Sequence, residues 1–346
     1  MSGMRWRPFR ELLFARIKEA MREPEVIFWV FIFPFLLAVG LGIAFRNKPI
    51  DRIRVGIEER DGAGAAAAAL NASGRFSAAV CAPPDCRARL RLGKVAVLVV
   101  PSTAFEYRFD PTRPDSVLAR ALVDDALQRA AGRADAVPVT DTVQTEPGAR
   151  YIDFLIPGIL GMNLMSGGMW GVGFVVVDMR IKKLLKRLVS TPMHRSEFLG
   201  AMIASRILFT LGEVALLLLM GYLLFGVVVR GSLLAISLIA LLGALAFASL
   251  GLLVASRAQK IETVSGLMNL VMMPMFVFSG IFFSADRFPD AFQPVIRALP
   301  LTALNDALRA VIIEGADLST QAARLAILAA YTAVAFTLAL RWFRWT

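Results

Sequence analysis

Few residues in this chain could do chemistry. There is one histidine, His194, and there are two cysteines, Cys81 and Cys86. A lone histidine excludes a His-pair metal site, and two cysteines exclude a Cys-rich zinc site, so no metal centre is expected. Gly93-Lys94 is followed by Val95, and the position five before Gly93 is Ala88, so there is no GxxxxGK[ST] loop to cradle a nucleotide. No GxSxG elbow occurs either. Leu164-Met165-Ser166-Gly167-Gly168 looks superficially like a nucleotide-sensing signature, but it lies inside a long apolar run. There Gly161, Gly167, Gly168, Gly171 and Gly173 read as a face that lets another helix approach closely. The chain is expected to hold no catalytic site and no cofactor of its own.

Composition says where the remaining polar residues must sit. Of 346 residues, 57% are hydrophobic and 19% charged, where a soluble chain has roughly 25% charged. Disorder is excluded, since it needs low hydrophobicity. Mean hydropathy is +0.63, carried by long uncharged runs as in a polytopic membrane protein. The formal net charge of +11 reads as basic loops held on the cytoplasmic side, not as a nucleic-acid surface.

A bilayer core of ~30 Å needs about 20 apolar residues as a helix. Six segments qualify: 26–45, about 152–177, 198–229, 233–255, 264–283, and a shorter, Ala-rich 325–340 flanked by Trp342, Phe343 and Trp345. The first span has no cleavage site after it and is expected to stay as an anchor. With the N-terminus inside, the short inner segments hold sixteen Lys and Arg against five in the short outer ones. Both termini are therefore expected in the cytoplasm.

Within the spans, Glu213 lies deep in the third, and Asn163 and Asn269 lie in the second and fifth. An acid in a bilayer is costly unless partnered. Glu213 either works in transport or bonds to Asn163, Ser or Thr on a neighbouring span to hold the bundle together. His194 sits in a loop beside Pro192 and reads as solvated.

Residues 46–150 change character. β-type runs at 53–57, 76–80 and 95–100 alternate with helical stretches at 63–70 and 115–131, which argues a small α/β domain on the outer side. About 105 residues suffice for a separate core. Cys81 and Cys86 lie in it, and an oxidising compartment permits a bridge across Pro83-Pro84; the alternative is two unpaired thiols.

Two amphipathic segments face the cytoplasm. In residues 1–25, Trp6, Phe9, Leu13 and Ile17 fall at helical spacing with cations on the other faces, as in a helix lying in the lipid interface. In the loop 178–200, Leu184, Leu185 and Leu188 make a stripe beside five cations, ended by Thr191-Pro192. Two such surfaces, with no enzyme site in the chain, suggest that force arrives there from another protein.

From Pro274 the chain reads PMFVFSGIFF, Gly280 included, then Phe288-Pro289, Leu299-Pro300-Leu301-Thr302 and Ala307-Leu308-Arg309. Together with Tyr151-Ile152-Asp153-Phe154-Leu155-Ile156-Pro157-Gly158 and Leu188-Val189-Ser190-Thr191-Pro192, this order resembles the ABC-2 family of ABC-transporter permeases over essentially the whole chain. It is closest to the subgroup with a large outer domain between spans one and two. Many members carry an acid and Gly-Thr before the Leu…Thr-Pro element; here Lys183-Leu184 stands there, with Asp178 the nearest acid. The resemblance implies two permeases, as a homodimer or with a similar chain, and two separate ATP-binding subunits that hold ATP and magnesium. Phe9, Leu13, Ile17 and residues 184–192 would be gripped by those subunits. Segment 286–318, with Pro289, Pro300 and Arg309, would form short helices dipping back from the outer side. The setting implied is the bacterial cytoplasmic membrane.

The expected architecture is thus a helical, polytopic membrane protein with six spans and an inserted α/β domain. Its expected function is an export permease for an amphipathic, lipid-like or drug-like molecule. Asn163, Met165, Asn269 and Met273 are expected to line the path. Two rivals make other demands. An ion-coupled secondary transporter using Glu213 would need no ATPase, and a mechanical or regulatory membrane protein would depend on its outer domain and be indifferent to the path.

Overall fold

The computed structural model describes residues 10–44 apart from 12, 16 and 19–21, together with 52–102, 105–134, 137, 148, 150–184 and 195–342. The chain divides into two compact units, Met1–Arg46 with Thr145–Thr346, and Asn47–Gln144. Ahead of the second unit stands α1 (Phe28–Ala44). Its first turn, Phe28–Ile32, is π-helical and follows a helical turn at Pro24–Ile27. Its 17 residues rise about 26 Å, so α1 is shorter than a full crossing unless the preceding turn is added.

The unit Asn47–Gln144 holds β1 (Ile53–Glu58), α2 (Ala63–Ala72), β2 (Phe76–Cys81), α3 (Pro83–Arg91), β3 (Val97–Val100), β4 (Glu106–Arg108) and α4 (Pro114–Ala130). The sheet order is β2-β1-β3-β4, with β1 parallel to β2 and β3, and β4 antiparallel to β3. Strand alternation sends successive side chains to opposite faces. Val97 and Val99 pack with Leu70, Val123 and Leu127 of α2 and α4, while Leu98 and Val100 pack with Cys86 of α3. Asn71 caps the free edge of β2: its amide donates to Ala78 O (3.0 Å) and its oxygen accepts from Ala78 N (2.9 Å). Glu58, buried at the end of β1, is held by Arg60 (3.0 Å) and Arg108 (3.4 Å). Cys81 and Cys86 are disulfide-bonded with Cα atoms 5.5 Å apart. Pro83-Pro84 opens α3, where a missing N–H costs nothing.

The other unit continues with α5 (Tyr151–Ile181), α6 (Arg195–Phe225), α7 (Leu233–Ala255), α8 (Ile261–Phe278), α9 (Gln293–Ala298), α10 (Pro300–Ile312) and α11 (Ala322–Trp342). Five helical segments among the described residues are long and apolar enough to cross a membrane: Tyr151–Ile181, Ala204–Phe225, Leu233–Ala255, Ile261–Phe278 and Leu318–Trp342. Two helices end earlier than hydropathy alone suggests. The third expected span stops at Phe225, not Val229, because Gly226 is left-handed (φ +61°) and turns the chain back. The fifth stops at Phe278, not Phe283, because Gly280 (φ +71°) does the same. α10 has 13 residues, too few to cross, and is almost wholly buried against α5, α7 and α11.

Lipid tails are as apolar as leucine, so burial alone does not hold such helices together; close packing and polar contacts must. α5 supplies the close packing. A Cβ on Gly168 would lie 2.6 Å from Phe247 Cβ of α7, and one on Gly173 would lie 2.5 Å from Gly251 O. Gly161 is filled by the amide oxygen of Asn305 on α10. Gly171 departs from the expected packing face, for it is exposed with nothing within 4 Å of its would-be Cβ.

Candidate functional site

The polar residues of this unit gather on α5 and its neighbours. α5 opens on a cap supplied by the carboxylate of Asp153, its third residue. Asp153 accepts from Gly148 N (3.0 Å) and Arg150 N (3.2 Å), and Arg150 Nη2 returns to Asp153 Oδ1 (2.8 Å). The Asp153 carboxylate holds the Arg150 guanidinium above its usual range. The same guanidinium donates through Nη1 to Phe225 O (2.9 Å) and through Nη2 to Gly226 O (3.2 Å). It thereby satisfies carbonyls that the end of α6 leaves open.

At the other end of α5, Arg180 Nη1 donates to Ala255 O (3.0 Å) and Ala258 O (2.7 Å), and Nη2 to Ser256 O (3.3 Å). Asp178 pairs with Lys182 at 2.8 Å. α5 then closes at Lys183, whose φ is +56°.

Glu213 does not bond to Asn163, Ser or Thr on another span. Its partner is Arg206, two turns earlier on α6: Nη1–Oε1 is 3.2 Å and Nη2–Oε2 is 3.4 Å. Glu213 is 0% and Arg206 13% side-chain exposed. The guanidinium rests on Gly167 of α5, where a Cβ would lie 2.6 Å from both terminal nitrogens. The two charges form a neutral unit seated between α6 and α5. Residues seven apart share a helical stripe, so the spacing of Arg206 and Glu213 alone carries the signal for this pairing.

Asn163 donates to Val30 O (3.0 Å), inside the π turn of α1. Asn163 and Met165 are buried within the chain, whereas Asn269 and Met273 stand on the exposed face of α8. The structure therefore does not bring the four expected path residues onto one surface of this chain. A second π turn, Met169–Phe174, interrupts α5. Such turns widen a helix locally and recur at functional positions.

The segment after α8 is pinned by Arg309 of α10. Its guanidinium lies 3.7 Å from the Phe154 ring centroid, donates to Phe154 O at 3.4 Å and bonds to Gly280 O. Asn305 Nδ2 donates to Ser279 O (2.8 Å). Arg309 and Gly280 are thus brought together; Pro300 is buried at the start of α10, and Pro289 is exposed. Of the expected coupling surface, Leu13 and Ile17 are helical and half-buried, and Leu184 is half-buried beyond the end of α5. Phe9, Leu185, Leu188, Thr191, Pro192 and also His194 lie outside the described residues.

Comparison with known proteins meets this arrangement at the family level. The family model described as ABC-2 family transporter protein matches residues 24–341. The probable multidrug ABC transporter permease YbhS of Escherichia coli (strain K12) is 24% identical over 340 residues, 90% of this chain and 89% of that protein. Nodulation protein J of Rhizobium meliloti (strain 1021) is 38% identical over 104 residues, 30% of this chain and 39% of that protein. The ABC transporter G family member 20 of Dictyostelium discoideum is 25% identical over 181 residues, 52% of this chain and only 25% of that much longer protein. A match over residues 24–341 shows that the chain belongs to the ABC-2 family of ABC-transporter permeases, membrane subunits that are generally non-catalytic and normally work with an ATP-binding subunit.

Proposed function

We propose that the chain is the membrane-spanning subunit of an ATP-driven exporter in the bacterial cytoplasmic membrane. The observation that carries this reading is the family match over residues 24–341. α1 with its leading turn joins the five longer helices as six spans, both termini lie in the cytoplasm, and residues 46–150 lie outside. Two ATP-binding subunits, which hold ATP and magnesium, grip the surface of Leu13, Ile17 and Leu184 and its continuation through Phe9, Leu185, Leu188, Thr191 and Pro192. Residues 286–318, pinned through Arg309 and Gly280, dip back from the outer side.

The second permease is a copy of the same chain. Asn269 is a polar amide on the exposed face of α8, between Leu267 (42% exposed) and Leu270 (70% exposed). Polar groups within a membrane span seldom face lipid. A twofold partner presenting the same helix would cover Asn269 and Met273 and turn them toward a shared path. Asn163 and Met165, buried on α5, join the path when α5 parts from α1. The cargo is amphipathic, lipid-like or drug-like, in keeping with the absence of a charge cluster on α8 and with the word multidrug in the name of the Escherichia coli relative.

The test is ATP-dependent uptake of ethidium and of a fluorescent phospholipid into inverted vesicles carrying the chain with its ATP-binding subunit. Uptake that needs ATP and falls in Asn269→Leu supports the reading. Uptake that persists without any ATP-binding subunit and follows the proton gradient contradicts it.

A further inference from the structure

The side chain of Arg180 fastens the α7–α8 turn to the end of α5. Ala255, Ser256 and Ala258 carry the carbonyls that Arg180 caps, and α8 begins only at Ile261. Helix C-terminal carbonyls lack partners within the helix and attract a cation. A guanidinium fork can hold three of them at once, which an ammonium point charge does less well. Two turns back along α5, Gly173 meets Gly251 backbone to backbone: a Cβ on Gly251 would itself lie 2.8 Å from Met169 O. A Cβ on Gly173 would also meet Met268 Cε of α8, so this point of α5 packs against α7 and α8 at once. Lys183 then turns the chain out of α5 in the left-handed conformation, the single non-glycine residue to do so among the described residues. A residue with a side chain is strained in that conformation and persists there only where its surroundings fix it.

We propose that Arg180 is a positioning residue for transport: by capping the α7–α8 turn from the end of α5, it makes the loop that leaves α5 and the start of α8 move as one body. This rests on the reading that an ATP-binding subunit pushes on that loop. A displacement delivered after Lys183 is then passed to α7 and α8 together, and α8 carries Asn269 and Met273.

The test uses the intact complex with its ATP-binding subunits in nanodiscs and proteoliposomes. Spin labels at Lys183→Cys and Lys260→Cys report the distance across the two turns; no native thiol competes, since Cys81 and Cys86 are bonded to each other. The proposal expects a narrow distribution that broadens in Arg180→Ala and is partly restored in Arg180→Lys. A distribution as narrow in Arg180→Ala as in the parent chain overturns it. Ethidium transport per ATP hydrolysed is expected to fall about tenfold in Arg180→Ala, within the usual range of coupling between sites, while hydrolysis holds and Arg180→Lys recovers part of the loss. Unchanged transport per ATP, or transport and hydrolysis lost in equal proportion, also overturns it. If Arg180→Ala does not assemble, Arg180→Gln and Arg180→Lys carry the same comparisons. A parent complex that hydrolyses no ATP refutes the exporter reading instead, and the distance measurement then decides the link alone.

Discussion

Arg150 and Arg180 stand at opposite ends of the same helix, and each caps the end of a different neighbour. Arg150 holds the carbonyls of Phe225 and Gly226 at the end of α6, and Arg180 holds those of Ala255, Ser256 and Ala258 at the end of α7. α5 is therefore a strut tied at one end to the end of α6 and at the other to the turn into α8. Carbonyls left open at a helix end are costly wherever packing keeps water from them, so these two guanidinium groups help fix which helices stay together.

Removing Arg150 should destabilise the membrane unit more than removing its whole ion pair. Arg150→Ala leaves Asp153, 2% side-chain exposed, with a buried charge and strips two caps from α6. Breaking a buried pair from one side costs about 3–5 kcal/mol. Thermal unfolding in nanodiscs should show the larger loss for Arg150→Ala and a smaller one for Arg150→Ala with Asp153→Asn. Equal losses would mean that the cap on α6 outweighs the pair.

Glu213 and Arg206 should behave as one unit. Glu213→Gln leaves the Arg206 charge unpaired against Gly167 and should cost a few kcal/mol, seen as lost assembly. The double variant Arg206→Met with Glu213→Met should recover assembly and ATP-driven transport. A double variant that folds but no longer transports, with the loss following the proton gradient, would restore Glu213 as an ion-coupling residue.

Two glycines on α5 make a matched pair of probes. Gly173→Ala drives a methyl into Gly251 and should lower the unfolding temperature, by an amount corresponding to roughly 1–3 kcal/mol of overpacking. Gly171→Ala meets open space and gains up to about 1 kcal/mol of helix propensity, so it should be neutral or stabilising. Unfolding curves of the two variants, measured side by side, check the contrast.

The Cys81–Cys86 bridge predicts where residues 46–150 reside. Alkylation of the chain, isolated from cells with thiols trapped, should label neither cysteine before reduction and both after it. Closing so short a loop stabilises by about 2 kcal/mol in the chain-entropy account, so Cys81→Ser should lower the unfolding temperature of the α/β unit. Two labelled thiols without reductant would place that unit in a reducing compartment.

Hydropathy and turn chemistry make the helices legible but not their last residues. The limits 233–255 coincide with α7, because Ser232 and the polar run after Ala255 bound it. The apolar Val227–Val229 and Ile281–Phe283 extend the hydropathy of α6 and α8 past the glycines that end them. Pro83-Pro84-Asp85 is a helix start that reads equally well as a turn, and β4 is only three residues long. The site is harder to read. Arg206 could have been matched to Glu213 by spacing alone. Arg150, Arg180 and Asn163 also reach backbone carbonyls distant in sequence, and a carbonyl carries no side-chain signal.

The most direct test of the account is affinity purification of the tagged chain into nanodiscs, with native mass spectrometry and an ATPase assay on the same sample. The account predicts a four-subunit particle, two copies of this chain and two ATP-binding subunits, that hydrolyses ATP. A stable, folded particle that contains no ATP-binding subunit and hydrolyses none would contradict it.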